Sequence, residues 1–261
     1  MGTGPDAGWR KKMIEASGRR RYEEVAEALR RELAGGTYQP GDRMKPERQI
    51  SDELGVSRSI VREAILRLEI EGLVDVRKGS GTYVVKVPAG DDTGTRGDIG
   101  PFELLQARQV LESSIAAFAA TTVTKADILR LREAMEMERR AIAEDTGDYS
   151  GDELFHHLIA EATQNSVLVD MIDELWRKRE QSPMWARLHA RIFDRTYRHR
   201  WLEDHQAILT ALQCRDPRAA RQAMWQHLEN VRQTLMELSD VDDPQFDGYL
   251  FDSRPAATAV S

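Results

Sequence analysis

The run Glu47-Arg48-Gln49-Ile50-Ser51-Asp52-Glu53-Leu54-Gly55-Val56-Ser57-Arg58-Ser59-Ile60-Val61-Arg62-Glu63-Ala64-Ile65, with Arg77-Lys78-Gly79-Ser80-Gly81 shortly after it, decides the fold of the first third of this chain. Ile50 and Leu54 lie one turn apart on one face of a first helix. Gly55-Val56-Ser57 makes a tight turn, with Gly55 free to take left-handed backbone and Ser57 placed to cap the next helix. Val61, Ile65 and Leu68 return at helical spacing, which predicts that the first turn of the second helix projects Arg58, Ser59 and Arg62 outward. After Gly72 the period shortens: Leu73, Val74 and Val76, then Tyr83, Val84 and Val85, form two β-rich runs joined by the cationic glycine tip. Together these are a winged helix-turn-helix, whose second helix meets base edges and whose wing lies along the phosphates. A solvated helix and an ordinary hairpin would carry the same charges. Here cations, turn chemistry and apolar period agree along the whole stretch, so the expected partner is double-stranded DNA.

Charge and length extend the argument. The chain has 261 residues and a net charge of −7, which looks wrong for a DNA binder until it is divided. Residues 1–86 carry an excess of three positive charges, and residues 87–261 an excess of ten negative ones. A DNA-facing domain joined to an acidic domain with another task fits that asymmetry. Cys214 is the single cysteine, so no intrachain disulfide framework exists. No signal segment and no uncharged run of membrane-spanning length appears, and a cytoplasmic protein is expected.

The organisation reads as five parts: a disordered polar arm over 1–18, a DNA-binding domain over 19–86, a linker over 87–100 and an all-α domain over 101–239, closed by a tail over 240–261. Arg19-Arg20-Arg21 is an exposed basic arm with or without phosphate contacts. Val25, Leu29 and Leu33 recur every four residues in a helix over 22–34, and Pro46 suits the first position of the leading helix of the motif. Past the linker, strand signals vanish. Helical periodicity marks 102–122, 125–144, 150–163, 167–179, 189–200, 201–213 and 217–238, a bundle of six or seven helices, with Asp216-Pro217 as a clean start. The fold class is mainly α. Phe246, Tyr249, Leu250 and Phe251 are able to pin the tail onto the bundle.

Tyr38-Gln39-Pro40-Gly41-Asp42, Pro46-Glu47-Arg48, Val56-Ser57-Arg58, Val61-Arg62-Glu63-Ala64 and Gly79-Ser80-Gly81 resemble the GntR family of bacterial transcription regulators. Gly100-Pro101-Phe102-Glu103-Leu104-Leu105-Gln106-Ala107-Arg108 is similar to the opening of the FCD effector domain in the family's fatty-acid-regulator branch. Met224-Trp225-Gln226-His227-Leu228-Glu229-Asn230 and Phe246-Asp247-Gly248-Tyr249-Leu250-Phe251-Asp252-Ser253 resemble repressors of hexuronate (glucuronate and fructuronate) catabolism. The resemblance implies DNA contacts from Arg48, Ser57, Arg58, Ser59 and Arg62, with Lys78 and Gly79 in the wing. Two-fold operator logic adds the expectation of a homodimer. One departure stands out: Met44-Lys45-Pro46 puts a cation where the family commonly has a proline, which either adds a phosphate contact or loosens the turn.

Asp152 and His156 sit four apart on one helix face, His205 comes directly after Asp204, and His227 lies deep in the last long helix. One carboxylate and three imidazoles make a first-row metal site, although spacing alone favours ordinary core or surface histidines. The resemblance favours the metal: its effector domain uses an Asp and three His at matching positions. Zinc is the foremost candidate, with nickel or manganese as alternatives. His157, His189 and His199 match nothing. Arg108 is the candidate partner for an effector carboxylate, against an ion pair with Glu112 one turn on. Asn165 is placed in the ligand pocket; Gln164, Trp176 and Arg179 are able to line it too, but packing or helix ends are the safer explanation. The implied effector is a sugar acid: fructuronate, glucuronate or galacturonate. Two other readings compete, a regulator of the same fold sensing lactate or another carboxylate, and a metal-dependent enzyme with a DNA-binding head. The second lacks support, since no His-Glu-x-x-His, phosphate-binding glycine loop or nucleophile elbow occurs. The chain is read as no enzyme.

Overall fold

The computed structural model describes residues 20–77, 79–88, 98–190 and 197–240. The expected arm over 1–18, Lys78, most of the linker and the tail aromatics lie outside the described residues. The chain divides into two compact units, one of residues 1–97 together with 239–261, the other of residues 98–238.

In the first unit, helix α1 (Arg21–Ala34) packs on α3 (Arg58–Ile70), and α2 (Glu47–Leu54) joins them. Val25, Leu29 and Leu33 of α1 meet Ile50, Val61, Ile65 and Leu68 in one apolar core, as the periodicity requires. Gly55 ends α2 in left-handed backbone at φ 65°, a conformation that costs a side-chain-bearing residue more. Strands β1 (Val74–Arg77) and β2 (Gly81–Val84) pair antiparallel, with Val74 opposite Val84 and Arg77 opposite Gly81. The wing is anchored behind: Met44 N–H donates to Thr82 O at 2.8 Å, and Gly41 N–H to Val84 O at 2.7 Å.

Three expectations in this unit need correction. Arg62 does not point outward. It is fully buried, and its Nε donates to both oxygens of Glu47 at 3.0 and 2.9 Å. The reason is Glu47 itself, a carboxylate only 1 % exposed at the start of α2, which is stable there only when a cation pairs with it. Ser57 holds the cap position of α3, but its hydroxyl bonds to Ser59 Oγ at 2.9 Å and not to the helix backbone. Pro46 is the residue before α2, not its first. Lys45, the departure from the family pattern, ties its ammonium to Glu53 at 2.8 Å and stands 3.5 Å from Glu32. It therefore clamps α1 to α2.

The second unit holds seven helices among the described residues: α4 (Pro101–Thr122), α5 (Lys125–Ala143), α6 (Ser150–Glu161), α7 (Ser166–Gln181), α8 (Pro183–His189), α9 (Tyr197–Gln213) and α10 (Pro217–Leu238). Helix α4 is the hub, packed against α6, α7, α9 and α10, while α5 lies on α6 and α9. The short α8 escaped the periodicity, yet its start is written as Ser182-Pro183: Ser182 Oγ accepts from Trp185 N–H at 3.1 Å. Of the helix expected over 189–200, residues 191–196 lie outside the described residues, and its last four continue into the one expected over 201–213. Residues Tyr197–Gln213 are one unbroken helix, since Trp201 packs inward with no breaker beside it. Asp216 caps α10 by accepting from the backbone of Arg218 and Ala219. No described helix is long and apolar enough to cross a membrane.

Gly151 sets how closely α6 approaches α5. A Cβ there would stand 2.5 Å from Glu138 N and 2.9 Å from Ala134 O, both backbone atoms that have no room to retreat. Gly151→Ala should therefore destabilise the helical unit by about 1–3 kcal/mol, the usual cost of overpacking, measured by denaturant unfolding of that unit. Arg62→Ala should lower the stability of the DNA-binding unit by about 3–5 kcal/mol by stranding Glu47, measured in the same way.

Candidate functional site

Four side chains expected to converge do converge. Asp152 and His156 project from the same face of α6, His205 from α9 and His227 from α10, all buried, with one ligand atom from each lying within 4.8 Å of every other. His205 Nε2 is 3.2 Å from His227 Nε2, and Asp152 Oδ1 is 3.5 Å from both His156 Nε2 and His205 Nε2. Asp152 lies in the first turn of α6, where the helix dipole favours negative charge.

Behind each imidazole stands a carboxylate. His156 Nδ1–H donates to Glu112 of α4, and His205 Nδ1–H donates to Glu138 of α5 at 2.8 Å. Asp204 stands 3.4 Å from His227 Nδ1 and is itself held by Asn230 Nδ2 at 3.0 and 2.9 Å. These contacts turn all three Nε2 atoms toward one point, with tautomers assigned from the bonding pattern.

The electrostatics arise from burial. Burial depresses His156, but Glu112 and Asp152 outweigh it and hold its pKa up at about 9. Burial also works against ionising Glu112, yet Arg108 and His156 hold it down at about 2. Asp152, despite its burial, is held well below the usual carboxylate range by His156 and His205. His227 is pushed down to about 4 by burial and by its neighbour His205. The nest is thus strongly anionic around a centre that favours a positive charge.

The donor set fits a divalent transition metal. Ligand atoms on one such ion have bonds of about 2.0–2.2 Å, which places neighbouring donors at roughly the 3.2 and 3.5 Å spacings seen here. His156 Nε2, buried and without a hydrogen-bond partner, is the atom such an ion would satisfy.

Two predicted ligand residues fall elsewhere. Arg108 is buried and engaged by Glu112 at 2.6 Å, with its guanidinium 4.3 Å over the Trp176 ring. It makes the ion pair one turn on and steadies the carboxylate behind His156. Asn165 is exposed and caps α7, its Oδ1 accepting from Val167 and Leu168 N–H. Gln164 is an exposed helix end at φ 57°. Trp176, in contrast, tilts against His156 at 5.6 Å. Sequence reasoning missed Glu138, whose spacing within α5 carries no signal, and gave Glu112 only as a partner for Arg108. His157 pairs with Asp173 and Glu161, His189 bonds to Tyr149, and His199 is exposed, so none of these joins the cluster.

On the DNA-binding unit, Arg48 is exposed on α2, Ser59 is partly exposed in the first turn of α3, and Gly79 is exposed in the wing turn at φ 66°. Arg58 is 40 % exposed in its side chain and pairs with Asp240 of the same unit.

Comparison with known proteins agrees with both halves. Residues 21–84 match the model described as bacterial regulatory proteins of the gntR family, and residues 103–230 match the FCD domain. The Uxu operon regulator of Haemophilus influenzae is 50 % identical over 252 residues, covering 96 % of this chain and 95 % of that one. This chain belongs to the GntR family. Within that family it resembles the Uxu operon transcriptional regulator of Escherichia coli (50 % identity, 92 % of this chain and 96 % of the relative). The Exu regulon transcriptional regulator of the same species is 46 % identical over 91 % of this chain and 93 % of its own length. A regulatory protein named for the L-lactate dehydrogenase operon of E. coli is more distant, at 29 %. A GntR regulator with an FCD domain is a DNA-binding transcription regulator and not an enzyme.

Removing two imidazoles, as His205→Ala with His227→Ala, should abolish retention of a divalent metal through gel filtration. Glu138→Gln, which spares every ligand atom, should weaken metal affinity by about 10–100-fold. Metal analysis and competition with a chromophoric chelator measure both.

Proposed function

We propose that this GntR regulator represses genes of hexuronate catabolism, takes a sugar acid at its three-histidine, one-aspartate centre, and changes its operator affinity on doing so. The observation that carries the proposal is that buried cluster, in a chain half identical to the Uxu operon regulators. Fructuronate, glucuronate and galacturonate are the candidate effectors, and zinc is the foremost candidate metal, with nickel or manganese as alternatives.

Asp152, His156, His205 and His227 would hold the metal, which when bound supplies a Lewis-acidic centre for the carboxylate and α-oxygen of a hydroxy acid. The chain's own residues do the rest. Glu112, Glu138 and Asp204 orient the imidazoles, and Arg108 keeps Glu112 ionised beneath His156. Phe155, stacked on His205 at 4.5 Å, and Trp176 exclude water from the inner side.

DNA binding falls to the other unit. Arg48, Ser57, Arg58 and Ser59 face the major groove and its phosphates, and Gly79 and Lys78 bring the wing to the backbone. A homodimer places two such heads on a near-palindromic operator. The effector shifts the balance only by binding the DNA-incompetent conformation better, a coupling of about 1–3 kcal/mol in typical cases.

Two experiments test this reading. Calorimetric titration with D-fructuronate, D-glucuronate and D-galacturonate should show one of them binding, with the binding lost after chelation. Binding by none in metal-loaded protein would sink the sugar-acid reading. Separately, Arg58→Ala should cost about 1–3 kcal/mol of affinity for an operator selected from random duplexes, and Lys78→Ala should lower the salt slope by about 1. Unchanged affinity in both would remove these residues from the DNA face.

A further inference from the structure

The metal cluster does not account for Arg179. Its guanidinium lies 4.6 Å over the Trp176 ring, 5.0 Å over Trp185 and 5.4 Å over Tyr149. Its Nε is buried without a hydrogen-bond partner among the described residues. The half-buried guanidinium thus lies among aromatic faces with one donor unsatisfied, and an unsatisfied buried donor calls for a partner.

Arg179 also lines a cavity of about 590 Å³, together with Tyr149, Glu153, Trp185, Ala186 and His189. That volume is in the range of about 300–1,000 Å³ typical of small-molecule sites. The walls are fixed. Arg198, 2 % exposed, donates to Thr146 O at 2.7 Å and to Asp148 O at 2.5 Å, which holds the loop before α6. Tyr149 Oη bonds to both Tyr197 Oη at 2.6 Å and His189 Nε2 at 2.9 Å.

Two helices tie this cavity to the metal cluster. On α6, Asp152 belongs to the cluster and the next residue, Glu153, lines the cavity. On α7, Trp176 leans on His156, and Arg179 one turn later lines the cavity. Arg179 also lies near enough to Asp152 to feel its charge.

The geometry points to this cavity as a second subsite of the effector pocket, which seats the hydroxylated chain of a six-carbon sugar acid whose carboxylate end is held at the cluster. It rests on the sugar-acid reading above and adds what selects chain length. Arg179 is the specificity-determining residue, donating to ring or chain oxygens. Glu153 offers acceptors to hydroxyl groups, and Trp185 offers a flat apolar face to C–H groups. A three-carbon hydroxy acid offers these groups fewer oxygens than a six-carbon one.

The test compares zinc-loaded wild type with Arg179→Gln and with Ala186→Phe, which fills the cavity from an exposed position on α8. Each is titrated calorimetrically with the three hexuronates and with L-lactate, with metal content and thermal midpoint as controls. Wild type should prefer a hexuronate over lactate by more than tenfold. Both variants should lose tenfold or more of hexuronate affinity at unchanged metal content, with lactate affinity unmoved. Wild-type hexuronate affinity in either variant would overturn the assignment, as would an equal loss for lactate. Failure of wild type to bind any hexuronate would instead bring down the sugar-acid reading, and the subsite with it.

Discussion

The helical unit depends on one electrostatic constraint. Four carboxylates, from Glu112, Glu138, Asp152 and Asp204, surround three imidazoles where water is largely excluded. Charges so buried are stable only when opposite charge lies among them. The upward hold on His156 expresses that demand through a proton, and a divalent cation answers it more fully. Helices α4, α5, α6, α9 and α10 each supply a member, so the constraint is also what brings five helices to one point. Gly151 permits it by letting α6 lie against the backbone of α5 beside Glu138.

The DNA-binding unit obeys the same rule on a smaller scale. Glu47 and Arg62 are both buried and bound to one another, joining the two helices of the motif. Arg58, one turn earlier on the same helix, keeps a side chain 40 % exposed. Two arginines four residues apart thus have different work. One fixes the angle between helices, and the other pairs with Asp240 near the surface. Lys45 makes a third tie with Glu53 and Glu32, so the unusual residue before Pro46 stiffens the approach to the motif.

Around the metal cluster the arginines divide in the same way. Arg108 is spent on Glu112 beneath His156, whereas Arg179 lies among aromatic faces at the edge of a cavity. Both guanidinium groups lie over Trp176, at 4.3 and 4.6 Å, so a single indole meets two cations.

The sequence by itself determined the winged helix-turn-helix, the all-α second domain and the Asp152–His156 pair. Each depends on short-range periodicity, turn chemistry or spacing within one helix, as with Gly55 and Asp216-Pro217, whereas His205 and His227 joined the pair only through the family resemblance. Tertiary structure decided the partners. That Arg62 turns inward, that Glu138 backs His205, that Arg108 serves Glu112 and that Arg179 faces a cavity are long-range matters of which buried charge meets which. No periodicity encodes them, because a charged residue on a helix looks the same whether its partner is water or a carboxylate from a distant segment.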